Sequence, residues 1–75
     1  MIRPEQIRAA RALLGWSQAQ LAAEAGLSKT GLANIENGAD PRSSTLNRIE
    51  QALEKAGVRF TEHGVELPPT AETPA

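Results

Sequence analysis

Residues Ser17 to Gly38 read SQAQLAAEAGLSKTGLANIENG, and the reading of this stretch decides the fold. Ser17 and Gln20 form a Ser-x-x-Gln pattern, the capping box in which a hydroxyl and an amide satisfy two donors left without partners at a helix start. Leu21, Ala22 and Ala25 then supply one apolar face, and Gly26 closes the helix. Ser28 can cap a following helix whose inward residues are Leu32 and Ile35, and Asn37-Gly38 is a turn signal behind it. Two helices joined by so short a link as Gly26-Leu27-Ser28 must cross steeply. The crossing needs a small residue, which Ala22 provides, and the link needs a residue that accepts positive φ, as Gly26 does. Apolar side chains must plug the angle, and Leu21, Leu27, Leu32 and Ile35 do so. The demands of a helix-turn-helix are met together.

Upstream, Pro4 suits a first helical turn, where its missing N–H is not needed. Ile7, Ala10 and Leu14 share one helical face before Gly15, which predicts a helix over about 4–14. Downstream, Ala39 to Arg42 read as a loop, since Pro41 discourages helix at Asp40. Ser43 or Ser44 can cap a fourth helix carrying Leu46, Ile49 and Leu53, with Gly57 placed to end it. Four short amphipathic helices with brief connections predict a compact, mainly α bundle.

After Gly57 the period changes. Val58-Arg59-Phe60-Thr61 and Val65-Glu66-Leu67 alternate apolar and polar, as half-buried strands do. A two-residue turn at His63-Gly64 would set Phe60 opposite Leu67 and put Val58, Phe60, Val65 and Leu67 on one face. Pro68 to Ala75 are rich in Pro, Thr, Ala and Glu, a composition that predicts a disordered tail. The chain thus divides into a helical domain over 1–57, a strand or hairpin over 58–67 and a tail over 68–75.

Composition narrows the function. A 75-residue chain holds one domain and buries only about 60% of its unfolded surface, so a second copy of itself is a natural source of extra support. Without cysteine and with His63 as the sole histidine, disulfides and a metal centre are not expected. No activated nucleophile accompanies His63, so no enzyme and no cofactor are expected. Trp16 follows a helix-ending glycine and reads as a lid on the core; with Phe60 the only other aromatic, no stacking surface for single strands can be assembled. The N-terminus, charged at Arg3, Glu5 and Arg8, lacks the apolar segment of a secretory signal, and no apolar run reaches the roughly 18 residues of a membrane span. The expected location is the cytoplasm, on the nucleoid when DNA is bound. The net charge is −1, but residues 1–43 carry five basic against four acidic side chains and residues 44–75 three against five. So mild an excess predicts few phosphate contacts.

Ser17-Gln18-Ala19-Gln20-Leu21-Ala22 through Ile35-Glu36-Asn37-Gly38 resembles the Xre family, which includes lambda-type phage repressors and Cro proteins, and the likeness runs over roughly residues 4–57. The resemblance implies a lambda-repressor-like bundle whose third helix lies in the DNA major groove, a docking for which these repressors are the type examples. It also implies that Gln18, at the start of helix 2, grips the DNA backbone, and that Arg11 and Glu36 occupy positions where an arginine and a glutamate pair. Beyond Gly57 the chain departs from the pattern, with a hairpin in place of the usual fifth helix. If helix 3 enters the groove, Lys29, Thr30 and Asn34 meet base edges: lysine favours guanine acceptors, asparagine can pair bidentately with adenine, and threonine is adaptable. Ser28, Asn37, Arg42 and Ser43 join Gln18 and Arg11 as phosphate-contacting residues, although Ser28 has a second use as a cap and Arg11–Glu36 as an ordinary surface pair. Gly31 costs about 1 kcal/mol against alanine in a helix; close approach to DNA or plain indifference to size would each account for it.

These expectations converge on a sequence-specific regulator of double-stranded DNA, a homodimeric repressor on a palindromic operator. The dimer is expected through Val58, Phe60, Val65 and Leu67, an apolar strand face with little else to cover it. The rival from another class is an antitoxin-like module whose main partner is a protein, docked on the strand edge, with DNA binding for autoregulation.

Overall fold

The computed structural model describes residues 2–67; the expected tail lies outside them. Four helices are followed by a two-stranded antiparallel sheet: α1 (Pro4–Leu14), α2 (Gln18–Ala25), α3 (Lys29–Glu36), α4 (Ser43–Lys55), β1 (Arg59–Phe60) and β2 (Val65–Glu66). This is the helix-turn-helix bundle with a C-terminal hairpin that the patterns predict. Among the described residues no helix is long and apolar enough to cross a membrane.

Three of the four helix starts have an identifiable cause in the sequence. Pro4 opens α1, and the Gln6 carboxamide accepts the Arg3 N–H at 2.8 Å. Arginine has no acceptor atom to return the favour, so α1 carries half a capping box. The Ser17–Gln20 box is complete: the Ser17 hydroxyl accepts from the Gln20 N–H at 3.1 Å and Gln20 Oε1 from the Ser17 N–H at 2.8 Å. Ser28 caps α3, accepting from the Gly31 N–H at 2.9 Å. The start of α4 differs from expectation. Arg42 has the extended cap backbone (φ −69°, ψ 153°) and no side-chain cap, while Ser43 is already the first helical residue. The first helical bond closes from Leu46 N–H onto the Arg42 carbonyl at 3.0 Å, one residue before either serine could cap.

The α2–α3 link shows the left-handed residue such a turn requires. Gly26 sits at φ 71°, ψ 34°, and Leu27 N–H folds back onto the Ala22 carbonyl at 2.8 Å. This caps α2 and points the chain sharply into α3. The same device ends α4, where Gly57 at φ 108° lets Val58 N–H reach the Leu53 carbonyl at 3.0 Å.

Ile7, Leu21, Leu32, Ile49 and Leu53, one or two from each helix, are the largest fully buried side chains, and Ala10, Ala22, Ala25 and Ile35 fill the gaps between them. Leu27 and Trp16 lie half-buried against this core, Trp16 as the lid its position predicts.

In the hairpin Phe60 pairs with Val65 and Arg59 with Glu66, not Phe60 with Leu67. Thr61 N–H bonds the Gly64 carbonyl at 3.0 Å, so the tip is Glu62-His63, one residue earlier than expected. Two facts account for the shift. Gly64 has no positive φ and so does not supply the turn conformation assumed for it. The turn is instead held from outside, by Gln6 Nε2 donating to the carbonyls of Thr61 at 3.0 Å and Gly64 at 3.1 Å. Pairing slips by two residues, so the apolar parity survives.

That apolar face is covered by the chain itself. Val58 is 3% exposed and belongs to the core, and Phe60 and Val65 lie half-buried against it; Leu67, at 44%, is the exposed member. The expectation of a face with little to cover it is corrected accordingly: it packs on the bundle, and Val58 has no surface to offer a second copy.

Candidate nucleic-acid interface

Helix α3 turns one side inward. Leu32, Ile35 and Glu36 are buried, whereas Lys29, Thr30, Asn34 and Asn37 are exposed. Thr30 and Asn34 are one turn apart on the outward side, Asn37 follows Asn34 by three, and Lys29 stands at the first position of the helix. Nothing in the bundle occludes this surface. Gly31 has a local explanation in addition: a Cβ there would lie 3.0 Å from the Ser28 hydroxyl that caps the helix.

Beside this surface lies the start of α2. The amides of Gln18 and Ala19 find no acceptor among the described residues, as expected for the first turn of a helix, and the positive end of the dipole adds to their attraction for an anion. The Gln18 side chain is engaged, donating from Nε2 to Glu36 Oε1 at 3.1 Å. One amide hydrogen remains for an outside acceptor.

Glu36 is the hub. Its side chain is 1% exposed and receives Arg11 Nε at 2.7 Å on one oxygen and Arg11 Nη2 at 2.8 Å on the other, so the pair is buried and bidentate, not a surface pair. Burial pushes the Glu36 carboxyl up, but hydrogen bonds from Arg11 and Gln18 and the charges of Arg11 and Arg8 outweigh it and hold it below the usual range. The hydrogen bond to Glu36 raises Arg11 in turn, against the opposing effect of burial. Arg11 Nη1 also donates to the Trp16 carbonyl at 3.2 Å, and the side chain is only 19% exposed. Arg11 thus ties α1 to α3 and to the residue before the α2 cap.

Arg8, which the sequence reading passed over, donates from Nη1 to the backbone carbonyl of Glu36. Its position one turn before Arg11 was the available signal. Gln6 was also missed; a glutamine at the third position after a helix start is legible as a capping residue, but its second use, on the hairpin, is not. Of the other expected phosphate contacts, Ser28, Arg42 and Ser43 are exposed, at the starts of α3 and α4.

The helix-turn-helix family model matches residues 7–58, from inside α1 to the end of the bundle. The chain belongs to the Xre/lambda-type helix-turn-helix family. Among curated proteins, no relative matches it. This Xre-type chain is therefore a DNA-binding regulator, of a family of regulatory domains and not of enzymes, with DNA as its partner.

Proposed function

We propose that this Xre-type chain is a sequence-specific repressor that binds a palindromic operator as a homodimer, with α3 in the major groove. The observation that carries the reading is the outward row on α3: Lys29, Thr30 and Asn34 are all exposed on a helix whose other side is anchored in the core. Lys29 would donate to guanine, Asn34 would pair with adenine, and Thr30 would adapt to either neighbour. The free amides of Gln18 and Ala19, with the side chains of Gln18, Ser28, Asn37, Arg42 and Ser43, would set the register on the phosphates; Arg11 would act chiefly by holding Gln18 and Glu36 in place.

A single module of this size covers only about 600–1,000 Å² on DNA, which favours two copies with recognition helices about 34 Å apart. The hairpin is the segment we assign to the dimer, through exposed Leu67 and the open parts of Phe60 and Val65. Leu67→Asp is the variant of choice, since Phe60 also supports the bundle. Light scattering is expected to show a dimer that becomes a monomer in this variant; a wild-type monomer at working concentration would remove the dimer claim.

Repression of this kind places the protein in the cytoplasm, on nucleoid DNA. Selection of bound sequences from a random duplex pool tests the whole reading. A two-fold symmetric consensus is expected. Recovery of no consensus would reject sequence-specific binding and favour a protein partner, a reading to which the net charge of −1 lends support.

A further inference from the structure

The Glu36 carboxylate is shared by Arg11 and Gln18, but the carbonyl of the same residue is held by a third group, Arg8 Nη1. Two guanidinium groups therefore meet at Glu36, Arg11 on its buried carboxylate and Arg8 on its backbone carbonyl. Among the described residues no carboxylate pairs with Arg8, whose side chain is exposed. The cluster of Arg8, Arg11 and Glu36 carries one net positive charge beside the C-terminal end of α3.

We propose that Arg8 holds a DNA backbone phosphate at the flank of α3. The inference rests on the reading of α3 as the groove helix. The major groove is about 12 Å wide, and a helix with its side chains is about 10–12 Å across, so an inserted helix fills the groove and cations held at its flank face the phosphates that wall it. Arg8 is such a cation. One nitrogen is anchored on the last carbonyl of α3, which fixes where the charge sits relative to the reading helix. The remaining N–H groups form a fork that suits a phosphate. Arg11, the arginine first expected in this role, has its Nε, Nη1 and Nη2 engaged by Glu36 and Trp16. The anchoring bond also places a positive charge where the α3 dipole is negative, which favours the free protein in the same geometry.

A purely structural role would consist of that anchoring bond alone, and salt dependence separates the two. Each phosphate neutralised on B-DNA contributes about 0.9 to the slope of log K against log salt. On a duplex carrying one selected half-site, Arg8→Gln is expected to make the slope shallower by about 0.9, so that about threefold less affinity is lost between about 50 and 200 mM salt. Base preference should stay that of the wild type. Arg8→Lys, which keeps the charge, should retain most of the slope. Arg59→Gln, which removes a cation paired with Glu66 on the hairpin at 3.2 Å, should leave it unchanged. A wild-type slope in Arg8→Gln overturns the proposal, whether affinity is kept or has fallen through loosening of α3. A slope change of equal size in Arg59→Gln overturns it too, since the effect would then be one of total charge. Wild-type protein that shows no preference for the selected half-site over a scrambled duplex would instead reject the groove-helix reading itself.

Discussion

Arg11 on α1 and Glu36 on α3, 25 residues apart in the chain, are joined by two contacts, Nε to Oε2 at 2.7 Å and Nη2 to Oε1 at 2.8 Å. The pair locks α1 to α3 and holds the Gln18 amide beside it. Breaking a buried pair costs more than the pair contributes, because the surviving charge is left without a partner. Glu36→Gln puts a neutral amide against Arg11 and should destabilise the fold by about 2–3 kcal/mol, less than for a wholly buried pair because Arg11 keeps some access to water. Urea titration measures this; a loss below about 0.5 kcal/mol would show that the contact contributes little.

The same carboxylate makes stability depend on pH. Its pKa in the folded protein lies below the ordinary value, so the unfolded chain binds the proton more readily. The stabilisation is present in full above the ordinary glutamate value of about 4.3 and is lost as pH falls through the depressed folded value. Urea midpoints taken from pH 7 to pH 3 should fall more steeply at the acid end for wild type than for Glu36→Gln. Parallel curves would assign the acid sensitivity to other groups.

Gln6 is 4% exposed and, among the described residues, is the sole side chain bonded to both hairpin carbonyls, of Thr61 and Gly64. Gln6→Leu keeps comparable bulk but leaves the Thr61 carbonyl without a donor and the Gly64 carbonyl with the Thr61 N–H alone, at a cost of about 1–3 kcal/mol. Faster amide exchange at residues 61–66 than in α2 and α3 is the expected signature. Uniform acceleration would mean that the hairpin and bundle open as one unit.

The helices were legible because local signals agree with one another: Pro4 at a start, Ser17 with Gln20, Ser28 before Gly31, and Gly26 between the two central helices. Strand pairing was legible only in parity. The register depends on Gln6, 55 residues from Thr61, and a bond over that distance leaves no local trace. The exposure of Lys29, Thr30 and Asn34 was legible because helical spacing already separates them from Leu32 and Ile35. The division of labour around Glu36 was half visible: the Arg11 pairing follows from the family resemblance, but burial and the convergence of Arg8 and Gln18 are products of packing. The start of α4 was misread by one residue because two adjacent serines compete as caps and neither serves.

Reading and gripping should be separable. Lys29→Ala removes the donor we assign to base edges and should change which base is preferred at one position of the selected site, by about 1–3 kcal/mol of discrimination. Gln18→Ala should weaken all duplexes alike, since phosphates carry no sequence information. Quantitative gel shifts on a set of single-base variants check both. Equal scaling of every site by both substitutions would mean that the roles are assigned wrongly.

The most direct test of the central claim is amide chemical-shift mapping of the labelled protein titrated with a selected duplex. Shifts are expected to concentrate at residues 28–34 of α3 and its cap, at Gln18 and Ala19, and at 37 and 42–44. Shifts confined to the hairpin or to the C-terminal half of α4, with residues 29, 30 and 34 unmoved, would contradict α3 as the helix that reads DNA.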